Sequence, residues 1–168
     1  MTVIVMMGVS GVGKTTIGRG LAETLGWGYA EGDSYHPAAN VEKMRSGTPL
    51  EDADRWPWLR AMAADIDRWR AEGKGMVLAC SALKRAYRDI LIGDRADVRL
   101  VQLTGEESLI RSRIAARKHE YMPATLLISQ LATLEPPAAD EHPIVVDVRD
   151  TPEACVARIR AALEGIAA

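Results

Sequence analysis

Short apolar runs alternate along the chain with longer segments in which apolar residues recur at helical spacing. The run over 2–7 is apolar and β-branched without polar alternation, as is typical of a strand buried on both faces. Over 14–25 the apolar residues fall on one helical stripe, which contains Ile17, Leu21 and Leu25. The pattern predicts strands over 2–7, 27–30, 75–80, 99–103 and 144–147. It predicts helices over 14–25, 40–45, 54–73, 82–91, 106–117, 124–134 and 152–163.

This alternation predicts an α/β fold, because strand–helix–strand units form parallel sheets covered by helices on both faces. The five predicted strands would form one such sheet in a single domain spanning 1–168, a length that fits one domain. Ligands of such sheets bind beyond the carboxyl ends of the strands. Asp33, Ser81 and Gly105 each follow a predicted strand, so we expect the functional site there.

Composition and charge narrow the class of protein. The chain carries 21 Lys and Arg against 23 Asp and Glu, a formal net charge of −2, which offers no basic footprint for nucleic acid or a membrane surface. The first residues lack the charged start of a signal peptide, and the two cysteines have no metal-ligand spacing. We therefore expect a cytoplasmic protein without a nucleic-acid or membrane partner.

The segment between the first predicted strand and helix matches the motif G-x-x-x-x-G-K-[ST] without a gap. Glycines let successive backbone N–H groups converge on phosphate oxygens, and the following helix directs its positive end at the same point. In this motif the lysine reaches the β- and γ-phosphates and the hydroxyl ligates Mg²⁺, roles that fall to Lys14 and Thr15. The predicted nucleotide-binding residues are Gly8, Val9, Ser10, Gly11, Val12, Gly13, Lys14, Thr15 and Thr16. A chance glycine-rich turn is the alternative, and the motif leaves the phosphoryl acceptor open: water, a protein, a nucleotide or a small metabolite.

Asp33 follows the second predicted strand, where a carboxylate can face the γ-phosphate and accept the proton of an attacking hydroxyl. An ordinary surface turn explains Gly32-Asp33-Ser34 equally well. Arg55 lies near a helix start, which is unfavourable for a cation unless its guanidinium receives a carboxylate or phosphate. A solvated charge is the alternative there.

Two further basic clusters are candidates for contacts with anionic ligands. Lys84 and Arg88 are four residues apart and would share one face of a helix, although Arg85 and Asp89 also fit a balanced surface helix. Arginines near the end of the helix over 106–117 have two explanations. They can interact favourably with the negative end of the helix dipole, or they can neutralise charge on a transferred phosphoryl group. Arg113 and Arg117 are the candidates of this second kind.

Taken together, the chain resembles the small P-loop gluconate kinases, relatives of shikimate kinase and the nucleoside monophosphate kinases. The resemblance spans nearly the whole chain. It is carried by 8–15, Gly32-Asp33 with His36-Pro37 and Asn40, Asp54-Arg55, Pro57-Trp58, Cys80-Ser81-Ala82-Leu83-Lys84, Tyr87-Arg88-Asp89, Ser129-Gln130 and Leu134-Glu135-Pro136.

The resemblance implies a P-loop NTPase fold with a lid, like that of the nucleoside monophosphate kinases, and ATP-dependent phosphorylation of D-gluconate at its 6-hydroxyl. It implies Mg²⁺ as a cofactor and usually a homodimer. The segment 33–55 would serve the substrate and 117–123 would form the lid. The implied catalytic residues are Lys14, Asp33 and Arg117; Arg113 and Arg117 would contact the nucleotide; and Asp33, His36, Arg55, Ser81, Lys84 and Arg88 would bind gluconate.

Two alternatives stay open at this point. A kinase of the same fold acting on shikimate or a nucleotide would share the phosphate-binding motif. A P-loop regulatory ATPase would share it too, although the acceptor-side residues would then have no purpose.

Overall fold

A computed structural model describes residues 1–116 and 124–167 of the chain. Its strands are β1 (Val3–Met7), β2 (Gly28–Glu31), β3 (Met76–Ala79), β4 (Val98–Thr104) and β5 (Ile144–Asp147). Its α-helices are α1 (Lys14–Leu25), α2 (Ala38–Arg45), α3 (Asp52–Glu72), α4 (Arg85–Leu91), α5 (Glu107–Ala116), α6 (Ala124–Thr133) and α7 (Pro152–Ala167). Single 3₁₀ turns occupy Gly32–Tyr35 and Ala139–Glu141.

The five strands form one parallel sheet in the order β2-β3-β1-β4-β5. All five residues of the central strand β1 are fully buried. Because successive side chains of a strand point to opposite faces, this burial requires helices on both faces of the sheet. The predicted α/β fold with a five-stranded parallel sheet is therefore confirmed.

The carboxyl ends of β1, β2 and β3 lie side by side, since each of these strands pairs with a neighbour in parallel. The phosphate-binding motif, Asp33 and Ser81 follow these three strands directly, so the topology brings them to one edge of the sheet. Among the described residues, no helix has the length and apolar character needed to cross a bilayer.

The start of α4 differs from the sequence prediction. The predicted helix began at 82, but Ala82 has a φ of +46°, in the left-handed region that a non-glycine residue rarely adopts. The helix begins instead at Arg85, and Lys84 is its N-cap residue with extended backbone. Lys84, which was predicted to lie inside the helix, is thus the residue before it.

Helix α3 also begins earlier than predicted, at Asp52 instead of 54. Asp54, the predicted first residue of the helix, lies instead within its first turn, where its Oδ2 accepts the backbone N–H of Glu51 at 2.8 Å. A carboxylate that returns to the residue before the helix satisfies a donor that the helix itself leaves unpaired.

Candidate active site

The segment from Gly8 to Thr15, here called the phosphate loop, joins β1 to α1. Gly11 and Gly13 adopt φ values of +83° and +106°, which favour glycine because other residues meet steric strain there. A Cβ added at Gly11 would also lie 2.5 Å from Cγ1 of Ile114 in α5. Gly11 is thus required both for the tight turn and for the close packing of α5 on the loop.

The side chain of Lys14 folds back over the phosphate loop. Its Nζ donates to the carbonyl oxygens of Gly8 and Val9 at 2.7 and 3.0 Å. The cation is thus held against the phosphate loop, where the motif predicts that it reaches the phosphates of a nucleotide.

Thr15, the predicted Mg²⁺ ligand, lies beside a carboxylate that sequence reasoning missed. Its Oγ1 donates to Oε2 of Glu31 at 2.8 Å, and the Tyr29 hydroxyl donates to the same oxygen at 2.6 Å. Burial and the hydrogen bond to Glu31 raise the pKa of Tyr29, which keeps this donor protonated. Glu31 ends β2 two residues before Asp33, so its position at the carboxyl edge of the sheet was a signal in the sequence that could have found it.

A hydroxyl and a carboxylate are hard oxygen donors of the kind that Mg²⁺ prefers. Within the described residues, no group of three or more His, Cys, Asp and Glu residues could hold a metal on its own. Mg²⁺ commonly binds through one or two protein oxygens together with waters and substrate phosphates. Thr15 and Glu31 therefore fit a magnesium ion that arrives with a nucleotide.

A cleft of about 560 Å³, here called the acceptor cleft, opens beside the phosphate loop. Lys14 and Asp33 both line it, so the predicted phosphate-binding cation and the predicted general base face the same space. Among the predicted site residues, the acceptor cleft is lined by Ser10, Lys14, Asp33, His36, Arg55 and Ser81.

Helix α3 positions the 3₁₀ turn that carries Asp33. The indole Nε1–H of Trp58 donates to the carbonyl oxygen of Gly32 at 2.8 Å, and the ring of Trp58 stacks on His36 with centroids 4.1 Å apart. Gly32 is close to the backbone of β3, because a Cβ there would meet the Ala79 carbonyl oxygen at 2.4 Å. The turn is thus held from both sides.

His36 is a neutral hydrogen-bonding group. Burial, and to a smaller extent the positive charge of Arg55, lowers the pKa of His36 to about 4. The side-chain Nδ2 of the buried Asn40 lies 3.2 Å from Nδ1 of His36 and also donates to the Asp54 carbonyl oxygen at 2.9 Å. Since Asn40 supplies the donor, Nδ1 accepts and the ring proton is on Nε2.

Arg55 and Lys84 meet around one tyrosine. Nη1 of Arg55 donates to the hydroxyl of Tyr87 at 3.0 Å, and that hydroxyl donates to Oδ1 of Asp52. Nζ of Lys84 also donates to Asp52, at 3.1 Å from Oδ1. These hydrogen bonds from Tyr87 and Lys84 lower the pKa of Asp52. Arg55 lines the acceptor cleft, whereas Lys84 lies beyond Tyr87 and is not among its lining residues.

Arg88 does not face the acceptor cleft, contrary to what its spacing from Lys84 predicted. Its side chain is 2% exposed, and its Nε donates to Oε1 of Glu141 at 2.6 Å. Its Nη1 donates to the carbonyl oxygens of Ala82 and Leu83 at 2.9 and 3.2 Å. Lys84 and Arg88 therefore do not act together: Lys84, the N-cap residue of α4, donates to Asp52, whereas Arg88 is buried against Glu141. Arg88 ties the loop after β3 to the 3₁₀ turn before β5.

A second cleft, of about 680 Å³, lies on the other side of the phosphate loop and is here called the base cleft. Gly11, Val12, Gly13 and Thr16 line it, whereas Ser10 and Lys14 line the acceptor cleft. Arg113 also lines the base cleft, where its Nη2 donates to the Val148 carbonyl oxygen at 2.7 Å. The phosphate loop thus separates two spaces, and the segment after β5, including Asp150 and Pro152, lines the one remote from Asp33.

The predicted lid over 117–123 lies outside the described residues, and Arg117 with it. The catalytic and nucleotide-binding roles expected of Arg117 therefore stay predictions.

Known proteins share this architecture. A protein-family profile described as an AAA domain matches residues 3–137. A gluconokinase from Gluconobacter oxydans is 50% identical over 151 residues, which cover 89% of this chain and 84% of that protein. The chain belongs to the gluconokinase family.

Solved structures that superpose on this chain agree with its membership of the gluconokinase family. A gluconokinase from Sinorhizobium meliloti superposes with a TM-score of 0.86 at 41% identity, covering 98% of this chain and 93% of that one. A sugar kinase from Janibacter sp. HTCC2649 superposes with a TM-score of 0.93 at 44% identity, covering 98% and 95%. Shikimate kinase from Aquifex aeolicus, at 17% identity and a TM-score of 0.60 over 99% and 98% of the two chains, shares the fold. The predicted P-loop kinase fold and family are thus confirmed, and the chain is a kinase.

Proposed function

We propose that this kinase transfers the γ-phosphoryl group of ATP to the 6-hydroxyl of D-gluconate, giving 6-phospho-D-gluconate and ADP. The observation that carries this proposal is that Lys14, Asp33 and Arg55 line one cleft at the carboxyl edge of the sheet. This set offers a cation for the phosphate, a carboxylate for the attacking hydroxyl and a guanidinium for a sugar acid.

The nucleotide would lie across the phosphate loop, with its base in the base cleft and its γ-phosphate toward the acceptor cleft. Support for this orientation comes from the lining of the two clefts, because Asp33 lines only the acceptor cleft and the middle of the loop lines only the base cleft. Backbone N–H groups and Lys14 would bind the phosphate oxygens. The segment from Val148 to Pro152, together with Arg113, would then lie beside the adenine.

Thr15 and Glu31 would hold Mg²⁺ between the start of α1 and the end of β2. When bound there with the nucleotide, Mg²⁺ neutralises charge on the phosphates. Tyr29 keeps the Glu31 carboxylate in place through its hydroxyl.

In the transfer step, the oxygen of the 6-hydroxyl forms a bond to the γ-phosphorus while the bond from that phosphorus to the β,γ-bridging oxygen breaks. The hydroxyl proton passes to the carboxylate of Asp33, and the electron pair of the broken bond leaves with ADP. Such a transfer asks the protein for positioning and charge neutralisation more than for covalent chemistry. The 3₁₀ turn that Trp58 holds supplies the positioning.

The carboxylate of gluconate would bind the Arg55 guanidinium, because a planar fork matches a carboxylate with two hydrogen bonds. Neutral His36 would donate its Nε2–H to a sugar hydroxyl, and Ser81 would contact the sugar from the end of β3. Lys84 would raise the positive potential at the rim of the acceptor cleft from its place beside Asp52. Arg88 has no part in this proposal, because Glu141 and two carbonyls already occupy its donors.

The test is a coupled assay of ADP release with gluconate, shikimate and a nucleoside monophosphate as acceptors. We expect the wild type to phosphorylate gluconate and neither of the other two acceptors. In Asp33→Asn we expect kcat to fall by about 10²–10³-fold while ATP still binds, because the general base is lost. Asp94→Asn is the matched control, since Asp94 is exposed and lines neither cleft. Equal or better turnover with another acceptor would refute the substrate, and full activity of Asp33→Asn would refute the role of the carboxylate.

The resemblance to gluconate kinases further supports a cytoplasmic homodimer that works on a small molecule. Light scattering of the purified protein tests the dimer, for which a mass near twice 18.3 kDa is expected.

A further inference from the structure

Helix α6 inserts one side chain into the phosphate loop. The backbone N–H of Ser10 donates to Oε1 of Gln130 at 2.6 Å. Gln130 and its neighbour Ser129 both line the acceptor cleft, on the side where the γ-phosphate is proposed to lie. A glutamine therefore accepts from a loop N–H of the kind that binds phosphate oxygens in this motif.

The backbone of Gln130 is anchored independently of this contact. Leu127 is 1% exposed and Leu131 packs against the core, which fixes the inner face of α6. At the end of the helix, the Glu135 N–H donates to the Leu83 carbonyl oxygen at 2.8 Å, and Oε1 of Glu135 accepts the N–H of Arg85 at 3.0 Å. The contact with Ser10 is thus made by a side chain that projects from a fixed helix.

A phosphate oxygen and Oε1 of Gln130 compete for the same donor, because the single N–H of Ser10 makes one well-aligned hydrogen bond at a time. A glutamine side chain also carries an NH₂ group with two donors. Once a phosphate oxygen has taken the Ser10 N–H, rotation of the terminal amide of Gln130 presents those donors to the phosphate.

We propose that Gln130 is a ligand of the transferred phosphoryl group: its carbonyl oxygen holds the Ser10 amide until a phosphate oxygen takes that N–H, and its NH₂ group then donates to the γ-phosphate. This inference rests on the proposed orientation of ATP across the phosphate loop. It makes Gln130 a sensor for the third phosphate, which distinguishes ATP from ADP.

The test compares Gln130→Glu with the wild type in calorimetric titrations with MgADP and with a non-hydrolysable ATP analogue, without gluconate. Glutamate has nearly the same shape and keeps an acceptor for Ser10, but it replaces the two donors with a negative charge. We expect the affinity for the ATP analogue to fall by about tenfold or more and that for ADP to stay within about twofold, because only the third phosphate meets the new charge. Ile128→Glu is the matched control, since Ile128 is exposed on the same helix and lines neither cleft; it should leave both affinities unchanged.

Equal weakening of both nucleotides in Gln130→Glu would overturn the proposal, because it would indicate a general distortion of the phosphate loop, and so would two unchanged affinities. Gln130→Ala is the second variant, with an expected fall in kcat of about tenfold at retained affinity for ADP; an unchanged kcat would equally overturn the proposal. The two proposals fail separately. If the wild type does not phosphorylate gluconate, the proposed substrate is refuted and the nucleotide titrations stay valid. If the wild type is active but Gln130→Glu changes the affinities for ADP and the ATP analogue equally, only the role of Gln130 is refuted.

Discussion

The indole N–H of Trp58 donates to the carbonyl oxygen of Gly32, one residue before the proposed general base. Trp58 is 2% exposed, so this hydrogen bond forms away from solvent. It joins α3, which also carries Arg55, to the turn that carries Asp33. The helix that carries the proposed ligand of the gluconate carboxylate therefore also fixes the turn of the proposed general base.

Trp58→Phe should separate this positioning role from packing. Phenylalanine can still stack on His36 but cannot donate, which leaves the Gly32 carbonyl buried without its partner at a cost of about 1–3 kcal/mol in the free energy of unfolding. We expect kcat/KM for gluconate to fall by about tenfold, since a small displacement of a catalytic group strongly slows transfer. Urea denaturation and steady-state kinetics measure the two effects.

Trp69→Phe is the control, because Trp69 is buried in the same helix, far along it from Gly32. It should cost stability through lost packing and leave kcat/KM unchanged. Equal losses of activity in the two variants would contradict the positioning role of Trp58.

Arg55 and Arg88 should respond differently to the same substitution. Arg88→Met removes the main partner of the Glu141 carboxylate, which keeps the Ala138 N–H and a longer contact with Arg85. We therefore expect the free energy of unfolding to fall by about 3 kcal/mol while KM for gluconate stays within about twofold. Arg55→Met should instead raise KM for gluconate by about tenfold or more, because it removes a charge-assisted hydrogen bond to the substrate.

The double variant Arg88→Met/Glu141→Leu checks the explanation, since replacing both partners of a buried pair with apolar residues should recover most of the lost stability. A rise in KM for Arg88→Met at retained stability would instead restore Arg88 to the binding site.

The contrast between these two arginines shows where sequence reasoning succeeds and where it fails. The strand, phosphate loop and helix over 2–25 follow from local signals, and α1 has the predicted bounds, because glycines and a lysine at fixed spacing dictate that backbone. The role of Arg88 depends on Glu141, more than fifty residues away, and on the left-handed backbone of Ala82, for which the sequence has no local signal. Tertiary partners of this kind also explain why the contact between Gln130 and Ser10 was not predicted.

The neutral state of His36 gives a prediction about pH. Its pKa is about 4 in the folded protein against 6.5 in the unfolded chain, so the unfolded chain binds a proton first as the pH falls. The contribution of His36 to the free energy of unfolding is therefore fully present above pH 6.5 and is lost progressively as the pH falls toward 4. His36→Phe keeps an aromatic ring on Trp58 and removes this titration.

Urea denaturation at pH 7.5 and pH 5 measures the effect. We expect the free energy of unfolding to fall more in the wild type than in His36→Phe between these two pH values. Relative to the wild type, the variant is therefore more stable at pH 5 than at pH 7.5. His142→Phe is a control at an exposed turn outside both clefts, and it should lose as much stability between the two pH values as the wild type does. Parallel losses in wild type and His36→Phe would show that His36 does not titrate below its ordinary range.

Glu31 provides the last prediction, because it is the carboxylate in contact with the predicted Mg²⁺ ligand Thr15. Glu31→Gln keeps the size of the side chain and removes its charge, so Mg²⁺ should bind more weakly. We expect the Mg²⁺ concentration for half-maximal activity to rise by about tenfold or more, as when groups that support a metal ligand are removed. The kcat at saturating Mg²⁺ should return toward that of the wild type, since Asp33 and Arg55 are untouched.

Glu23→Gln, at an exposed position on the same helix as Thr15, is the control and should leave the Mg²⁺ requirement unchanged. A loss of kcat that Mg²⁺ does not restore would mean that Glu31 acts on the transfer step itself and not through the metal.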